Sequence, residues 1–356
     1  MQEFFAKHHL KAQKIAVAVS GGADSLALVL MAKEELTVFG FEIVALTVNH
    51  HLRLNATAEA EYVAKVMKTH NIEHHILDWR ENKPRTGIEE AARTARYHLL
   101  TQWCKQHNVH VLLTAHHQTD QAETFLMRLQ RGSGLDGLCS MREIFINNGI
   151  IIARPLLHTP PEKMRLYLKN KQIEWKEDES NSNTKYLRNR IRAFLPQLEK
   201  TIGISVRNMA ETANRLQSAE DYIEEQLKNL LITEVQTLTP DIFYFKYSHF
   251  LYWHSEMKFR ILAHICRRQY IPRAEHILYA LKKMSQQPFT GITLGGKEIF
   301  YYNENIWIVP EMRTKHKSSR KAWLEFVQKN PQYATLKIPH KARIAILENT
   351  ERKNDL

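Results

Sequence analysis

The sequence predicts an α/β protein: an N-terminal parallel-sheet domain, then a mainly helical domain, then a small β-containing C-terminal region. Three observations support this order. Short apolar runs alternate with segments of helical spacing over about the first 130 residues, helical patterns dominate the middle, and alternating apolar residues return after residue 289. Strand–helix alternation implies parallel strands joined by right-handed crossovers, with helices on both faces of the sheet.

Four strands and four helices are predicted in the N-terminal part. The strands are residues 15–19, 43–48, 74–77 and 109–113, and the helices are residues 26–36, 56–70, 88–107 and 120–129. Ligands of such sheets bind at the carboxyl ends of the strands. We therefore expect the chemistry at the ends of the first and fourth strands.

Turn signals and composition divide the rest of the chain. We predict a loop at residues 131–134, an extended segment at 154–157 and an exposed polar loop at 177–183. Helices continue to about residue 283 with an interruption near 238–248, a small β element covers 289–310, and the tail past residue 347 is expected to be loose. The predicted domains are residues 1–200, 201–288 and 289–356.

Composition excludes several classes of protein. With 44% hydrophobic and 25% charged residues in a chain of 356, the sequence is neither collagen-like nor disordered. It lacks both an apolar run of the roughly 20 residues that span a membrane and a secretory signal, so a cytoplasmic protein is expected. The net charge of +12 favours a polyanionic partner such as nucleic acid. Cys104, Cys139 and Cys266 are isolated, which argues against an iron–sulfur cluster, a cysteine zinc site or a disulfide framework.

A glycine-containing turn joins the first strand to the first helix. It consists of Ser20, Gly21, Gly22, Ala23, Asp24 and Ser25. Its backbone N–H groups and the positive end of the helix dipole predict a phosphate site, although the turn matches neither the Walker nor the dinucleotide fingerprint. Asp24 either caps the helix or helps to hold a magnesium ion beside the anion. No dedicated metal site is predicted.

A second motif, HHQTDQAET at residues 116–124, follows the fourth strand and enters a helix. Asp120 and Glu123 are three residues apart and share a face of that helix. Such paired carboxylates can ligate magnesium, bind an ammonium group or accept a proton, and the bland alternative is a helix cap beside a solvated side chain. A metal site built from His116, His117 and Asp120 is disfavoured because no second cluster completes the ligand set.

The turn at residues 20–25 resembles the PP-loop of the ATP pyrophosphatases, enzymes that cleave ATP between the α- and β-phosphates. HHQTDQAET, followed by LMRLQRGSGLDGL, resembles the signature of the tRNA(Ile)-lysidine synthase family. GIEEAARTARY, RPLL and DESNSNTKYLRNRIR agree with that family in order and spacing. The resemblance is strong over residues 13–200 and fainter in the helical region. The family's C-terminal region varies, and a truncated arrangement is expected here after residue 311.

The resemblance implies ATP-dependent joining of free lysine to the 2-carbon of the wobble cytidine in an isoleucine tRNA with a CAU anticodon. ATP with magnesium would bind at residues 20–25. Asp120, Arg96 and Arg188 would be catalytic, and Asp120 and Glu123 would bind lysine. Arg188, Arg190 and Arg192 would contact the tRNA, and which arginine matters most is open. Asp120 is the candidate acceptor for the proton that the lysine ammonium must lose. The oligomeric state is open, with a dimer as one option.

Two other functions were weighed. A PP-loop tRNA thiolase generally needs a cysteine pair or a cysteine-bound cluster, which this sequence does not offer. A non-catalytic, basic RNA-binding module is disfavoured by the intact phosphate turn beside an acidic helix. The seven Lys/Arg and two Asp/Glu of residues 185–215 predict phosphate contacts with RNA. Tyr186, Trp253 and Trp307 either stack on bases or belong to the core.

Overall fold

The computed structural model describes residues 1–51, 56–81, 83–84, 86–176, 186–286, 289, 291–311, 320–334 and 336–354. They form two compact units, Met1–Glu220 and Asp221–Leu356. The polar loop predicted at residues 177–183 lies outside the described residues.

The first unit is built on a six-stranded sheet. Its strands are β1 (Lys14–Ala18), β2 (Glu42–Asn49), β3 (Glu73–Asp78), β4 (Val111–Leu113), β5 (Ile144–Asn147) and β6 (Ile150–Ala153). They lie in the order β3-β2-β1-β4-β6-β5, and every neighbouring pair is parallel except β5 with β6. The predicted parallel α/β domain is confirmed.

Nine helices of the first unit lie in the described part of the chain. They are α1 (Gln2–Lys7), α2 (Ala23–Leu36), α3 (Ala56–Thr69), α4 (Ile88–Gln106), α5 (Gln118–Gln130), α6 (Leu135–Leu138), α7 (Pro161–Asn170), α8 (Leu187–Ile202) and α9 (Val206–Thr233), of which α9 continues past residue 220. Alternate residues of β1 pack on opposite sides of the sheet: Ile15 and Val17 share a buried cluster with α2, and Ala16 shares another with α4. The sheet is therefore covered on both faces, as its continuous apolar strands require.

The chain order reverses at β1, which lies between β2 and β4. A crevice opens at such a reversal because the following crossovers run to opposite faces of the sheet. The turn at residues 20–25 follows β1, and the HHQTDQAET motif follows β4. The two sequence motifs therefore meet at the carboxyl edge of neighbouring strands.

One local prediction for this unit is wrong, and one pair of strands was not predicted. Residues 154–157 form a turn rather than an extended segment, with Leu157 N donating to Arg154 O at 3.2 Å. The β5–β6 hairpin was not predicted, although its turn has the usual Asn148-Gly149 pair, both with positive φ (50° and 77°). The Asn-Gly signal is typical of a tight hairpin and was present in the sequence.

The second unit contains a five-stranded antiparallel sheet and five described helices. The strands are β7 (Gln236–Thr239), β8 (Ile242–Lys246), β9 (Ile292–Leu294), β10 (Lys297–Tyr302) and β11 (Asn305–Pro310), in the order β7-β8-β11-β10-β9. The helices are α10 (Tyr247–Tyr252), α11 (Ser255–Ile265), α12 (Ala274–Met284), α13 (Arg320–Lys329) and α14 (His340–Asn354). Among the described residues of the whole chain, no helix combines the length and the apolar character that crossing a bilayer requires.

The architecture of this unit differs from the sequence prediction at two points. β8 pairs with β11, so segments on both sides of the predicted boundary at residue 288 share one sheet. The tail past residue 347, predicted to be loose, continues helix α14 to Asn354. The helix is held because Ala342 and Ile346 are buried against Ile242 and Trp307. These contacts between residues far apart in sequence leave no local signal.

Candidate active site

The turn after β1 is shaped by its own serines. Ser20 N donates to Ser25 Oγ at 3.0 Å, and Ser25 Oγ donates to the carbonyl of Gly22 at 3.0 Å. Gly22 is the extended N-cap of α2, so the first turn of that helix begins directly behind the loop. The backbone N–H groups at the start of a 14-residue helix thus lie at the carboxyl edge of β1. This arrangement suits an anionic phosphate group.

Position 21 requires glycine for two reasons, its backbone conformation and its close contact with α3. Its φ of +87° lies in the left-handed region, and an added Cβ would be 3.3 Å from Val63 Cγ2 on α3. Its carbonyl accepts a hydrogen bond from Lys176 N at 3.1 Å. The loop is therefore fixed from two sides, and a larger residue would disturb both its backbone and its contact with α3.

Asp24 stands at the beginning of α2 with a buried Oδ1 that has no hydrogen-bond partner among the described residues. An orphaned carboxylate oxygen beside a phosphate site suits a magnesium ion, which prefers oxygen ligands. In the described part of the chain, no group of three or more His, Cys, Asp or Glu side chains could hold a metal by itself.

The HHQTDQAET segment forms the beginning of α5, and His117 is its N-cap. Thr119 N donates to His117 Nδ1 at 3.2 Å, and His117 N donates to Asp120 Oδ2 at 2.9 Å. This reciprocal capping box fixes both side chains at the carboxyl edge of β4. Asp120 thus takes part in capping α5, as one alternative from the sequence expects, but Glu123 is buried rather than solvated, and both belong to a larger cluster.

That cluster, the carboxylate–arginine cluster, consists of Asp120 and Glu123 on α5 with Arg188 and Arg192 on α8. Arg188 binds both carboxylates, donating to Asp120 Oδ1 and, at 2.5 Å, to Glu123 Oε2. Arg192 Nε donates to Glu123 Oε1 at 2.5 Å, and its Nη2 lies 3.6 Å from Asp120 Oδ1. The side chain of Glu123 is fully buried, whereas those of Arg188 and Arg192 are 38% and 36% exposed.

Packing of α8 against α5 sets this geometry. Buried Leu195 and half-buried Ile191 of α8 share a cluster with Ala122 and Phe125 of α5. Arg188 and Arg192 are four residues apart and therefore project from one face of α8. The sequence spacing predicts that the two arginines share a face, but only the packed helices show that they bind Asp120 and Glu123.

The charges of the cluster determine its ionisation. Burial acts to raise the pKa of Asp120, but nearby His117 and Arg188 lower it below its ordinary value. Burial opposes the charge of Arg188, yet Asp120 and Glu123 raise its pKa. Asp120 is therefore an ionised carboxylate in this arrangement. That state suits an ion pair, and the lowered pKa makes Asp120 a weak proton acceptor in this arrangement.

His117 connects the cluster to the phosphate turn. Its Nε2 lies 3.5 Å from Asp24 Oδ2 and 3.6 Å from Asp120 Oδ2. Burial acts to lower the pKa of His117, but the carboxylates of Asp24 and Asp120 raise it. The sequence analysis considered His117 only as a metal ligand. The signal that could have found it is its place as the N-cap, three residues before Asp120.

The other predicted residues occupy different places. Arg96 is exposed on α4 and donates from Nε to His50 Nε2 at 3.3 Å, at the end of β2. Arg190 is exposed on α8. Of the aromatic residues, Tyr186 is exposed, whereas Trp253 packs against the core of the second unit. Trp307 is buried there and stacks on Tyr244, so it belongs to the core.

Comparisons with known proteins agree with this geometry. Residues 1–199 match the PP-loop domain family. The chain is 36% identical to the tRNA(Ile)-lysidine synthase of Wolbachia pipientis wMel over 84% of its own length and 70% of that protein. It is 42% identical to the enzyme of the same name from Orientia tsutsugamushi, over 52% of this chain and 42% of the relative. It is 41% identical to the tRNA(Ile)-lysidine synthase of Bradyrhizobium diazoefficiens, over 60% of this chain and 59% of the relative.

The matched parts of these relatives thus range from 42% to 70% of their length. Among solved structures, the U34-tRNA thiolase NcsA from Methanococcus maripaludis aligns with a TM-score of 0.53 and 18% identity. The alignment covers 61% of this chain and 76% of the thiolase. At that identity the likeness supports the fold alone.

Proposed function

The chain belongs to the PP-loop family and, within it, to the tRNA(Ile)-lysidine synthases, and on this basis we propose that it makes lysidine. In this reaction ATP activates the wobble cytidine of an isoleucine tRNA with a CAU anticodon, and free lysine is joined to the 2-carbon of that base. One observation carries the proposal: the buried carboxylate of Asp120, which shares Arg188 with Glu123, lies beside His117, and His117 also lies beside Asp24 of the phosphate turn. This arrangement supports an ammonium site next to a phosphate site.

We assign the triphosphate to the turn at residues 20–25. Backbone N–H groups at the start of α2 and the hydroxyls of Ser20 and Ser25 would receive the phosphate oxygens. The PP-loop match supports ATP as the nucleotide. Magnesium, when bound, would neutralise phosphate charge, and Asp24 would hold it through its orphaned Oδ1.

In the first chemical step the 2-oxygen of cytosine attacks the α-phosphorus of ATP. An O–P bond forms, the bond to the β-phosphate oxygen breaks, and pyrophosphate leaves with the bonding electrons. Negative charge develops on the phosphates, and fixed positive groups stabilise it because they need not reorganise during the reaction. Arg188 would supply such charge, and Arg96 at the end of β2 would supply it from the other side of β1.

Binding of lysine would require an exchange of the cations that are bound to Asp120 and Glu123. Asp120 and Glu123 already bind Arg188 and Arg192, whose exposed side chains can turn outward. A triphosphate or an RNA phosphate would offer these arginines another anionic partner. The two carboxylates would then receive an ammonium group of lysine.

The exchange of cations would also affect whether Asp120 can accept the proton that the lysine ammonium must lose. Burial acts to raise the pKa of Asp120, and His117 and Arg188 together keep it low, so the departure of Arg188 would weaken one of the causes that hold it down. A buried ammonium–carboxylate pair can lower its energy by passing the proton to the carboxylate, which yields two neutral groups. The free amine then attacks the 2-carbon and AMP leaves. Asp120 would thus accept the proton only in the loaded site.

RNA binding is assigned to the basic face that includes Arg190 on α8 and the basic residues up to 215. Phosphate contacts of this kind fix the register of the tRNA without reading its sequence. A flipped-out cytidine would have to enter the crevice at the end of β1, because the base is not reachable inside a stacked loop. The predicted division into residues 1–200, 201–288 and 289–356 is kept only as a functional proposal.

The thiolase alternative is less well supported. Cys104, Cys139 and Cys266 are all buried and unbridged. Burial raises the pKa of Cys104 to about 12 and that of Cys266 to about 12, so neither is a nucleophilic thiolate near neutral pH. A non-catalytic RNA-binding module would not need the buried carboxylate of Asp120 close to the phosphate turn.

The test is direct. Purified protein is incubated with ATP, radiolabelled lysine and an isoleucine tRNA carrying CAU, and lysine should enter the tRNA with one AMP and one pyrophosphate released per lysine. Asp120→Asn should lose incorporation but retain tRNA binding, while Glu211→Gln, which alters an exposed pair with Arg207, should behave as wild type. Folded protein that incorporates no lysine, or that releases ADP, would refute the proposal.

A further inference from the structure

His50 follows the last residue of β2 and so lies at the same sheet edge as the phosphate turn. Its Nε2 is 3.3 Å from Arg96 Nε. An arginine Nε–H can only donate a hydrogen bond, so His50 Nε2 must accept it. The His50 ring is therefore neutral, with its single proton on Nδ1.

The surroundings of the ring keep it in that state. Burial lowers the pKa of His50 to about 4, and the positive charges of Arg96 and Lys83 contribute in the same direction. The ring stands edge-on to Trp79, with centroids 5.8 Å apart. At neutral pH His50 can thus serve Arg96 as a constant acceptor.

Stability does not explain this placement. His50 Nδ1 is buried and has no hydrogen-bond partner in the described part of the chain. A buried donor without a partner lowers the stability of the fold relative to a satisfied one. An apolar side chain in the same space would avoid that penalty, so the ring must be explained by what its Nε2 does.

We propose that His50 is a positioning residue, which fixes the plane of the Arg96 guanidinium at the carboxyl edge of β2. The ligand served is an anionic phosphate group of the nucleotide or its adenylated product, because a guanidinium held in one plane recognises phosphate oxygens in two directions. This inference rests on the proposed function, and it adds a residue that the sequence motifs did not include.

A pair of substitutions separates the two nitrogens of the ring. In His50→Gln the terminal amide lies near the position of Nε2, so an acceptor for Arg96 remains. In His50→Asn the amide lies near Nδ1, so that acceptor is lost. His50→Leu removes both groups. His74→Gln is the matched control, because His74 is also half-buried with a pKa lowered to about 4, but its Nε2 contacts Thr47 Oγ1 at 2.8 Å.

We expect lysidine formation by His50→Gln to stay within about threefold of wild type, and that of His50→Asn and His50→Leu to fall at least about tenfold, since a misplaced catalytic group costs one to two orders of magnitude. The loss should appear in kcat, and His50→Leu should melt no lower than wild type. His74→Gln should keep its activity. The inference would be overturned if His50→Asn were as active as His50→Gln in lysidine formation, or more active.

A second measurement does not depend on activity. In protein labelled with ¹⁵N-histidine, the His50 signals, assigned by their absence in His50→Gln, should show a neutral ring with the proton on Nδ1. In Arg96→Met the proton should redistribute between the two nitrogens. A protonated ring at neutral pH, or a proton on Nε2 in wild type, would overturn the inference. Inactive wild-type protein would refute the proposed function, and the NMR result would still decide the role of His50.

Discussion

Replacing Glu123 by glutamine tests whether the carboxylate–arginine cluster holds α8 against α5. Glu123 is fully buried and receives one 2.5 Å hydrogen bond from Arg188 and another from Arg192. Glutamine keeps the shape and one acceptor oxygen but removes the charge. Both arginines then lose their common anion, and one of them faces the amide nitrogen.

The size of the effect follows from burial. Breaking a fully buried ion pair costs about 3–5 kcal/mol. The arginines are more than a third exposed and can recover solvation, so the cost here should be nearer 1–2 kcal/mol. For a domain of this size that loss lowers the melting temperature by about 2–8 °C.

The measurement is thermal unfolding of Glu123→Gln beside Glu211→Gln, whose carboxylate is exposed and pairs with Arg207 within one helix. The control should not shift. Combining Glu123→Gln with Arg192→Gln should be less damaging than the sum of the single changes, because the two residues are in contact. A melting temperature equal to wild type, or strictly additive changes, would show that the cluster does not stabilise the packing of α8.

Three further predictions address other parts of the molecule. Gly21→Ala should lower stability by about 1–2 kcal/mol and weaken ATP binding measured by calorimetry. The control Gly40→Ala has a similar φ of +84° but nothing within 4 Å of the added Cβ, so it should lower stability without changing the affinity for ATP. Equal ATP binding by the two variants would contradict our account of the turn. The hydrogen bond of His158, with those of Lys7 and His8, lowers the pKa of Glu143 from 4.5 to about 2. Its contribution of about 3 kcal/mol to the free energy of unfolding is therefore complete above pH 4.5 and is lost as the pH falls towards 2. Glu143→Gln should remove this acid-dependent part of the unfolding free energy in urea titrations, and an unchanged pH profile would refute the prediction. Cys104 and Cys266 should resist iodoacetamide in the native protein at pH 8 and react after unfolding, and rapid native labelling seen by mass spectrometry would show that their burial is not maintained.

Much of the first unit could be predicted because its signals are local. The four strands and four helices of residues 15–129 occur where apolar periodicity placed them, with ends that differ by a few residues. The sequence also predicted that the ends of β1 and β4 would hold the two motifs together. The β5–β6 hairpin was not predicted, although the Asn148-Gly149 pair at its turn is the usual signal for one.

For the candidate site as well, the sequence predicted the local features and not the contacts between distant segments. Residue type and spacing identified Asp120 and Glu123 as a pair on one face, and the resemblance pointed to Arg96 and Arg188. Spacing could not show that Arg188 and Arg192 bind both carboxylates, because α5 and α8 are joined by more than fifty residues of intervening chain. The sequence did not indicate the partner of His50, because His50 and Arg96 lie more than forty residues apart along the chain.

The sequence by itself determined the parallel α/β architecture, the phosphate turn and the acidic helix, because each depends on residues that are close together along the chain. Only the tertiary structure decided how the charges are paired, and this pairing lowers the pKa of Asp120. It also decided that strands from both sides of residue 288 form one sheet. Ion pairing and strand pairing between distant segments depend on distances in space, and residue order does not record those distances.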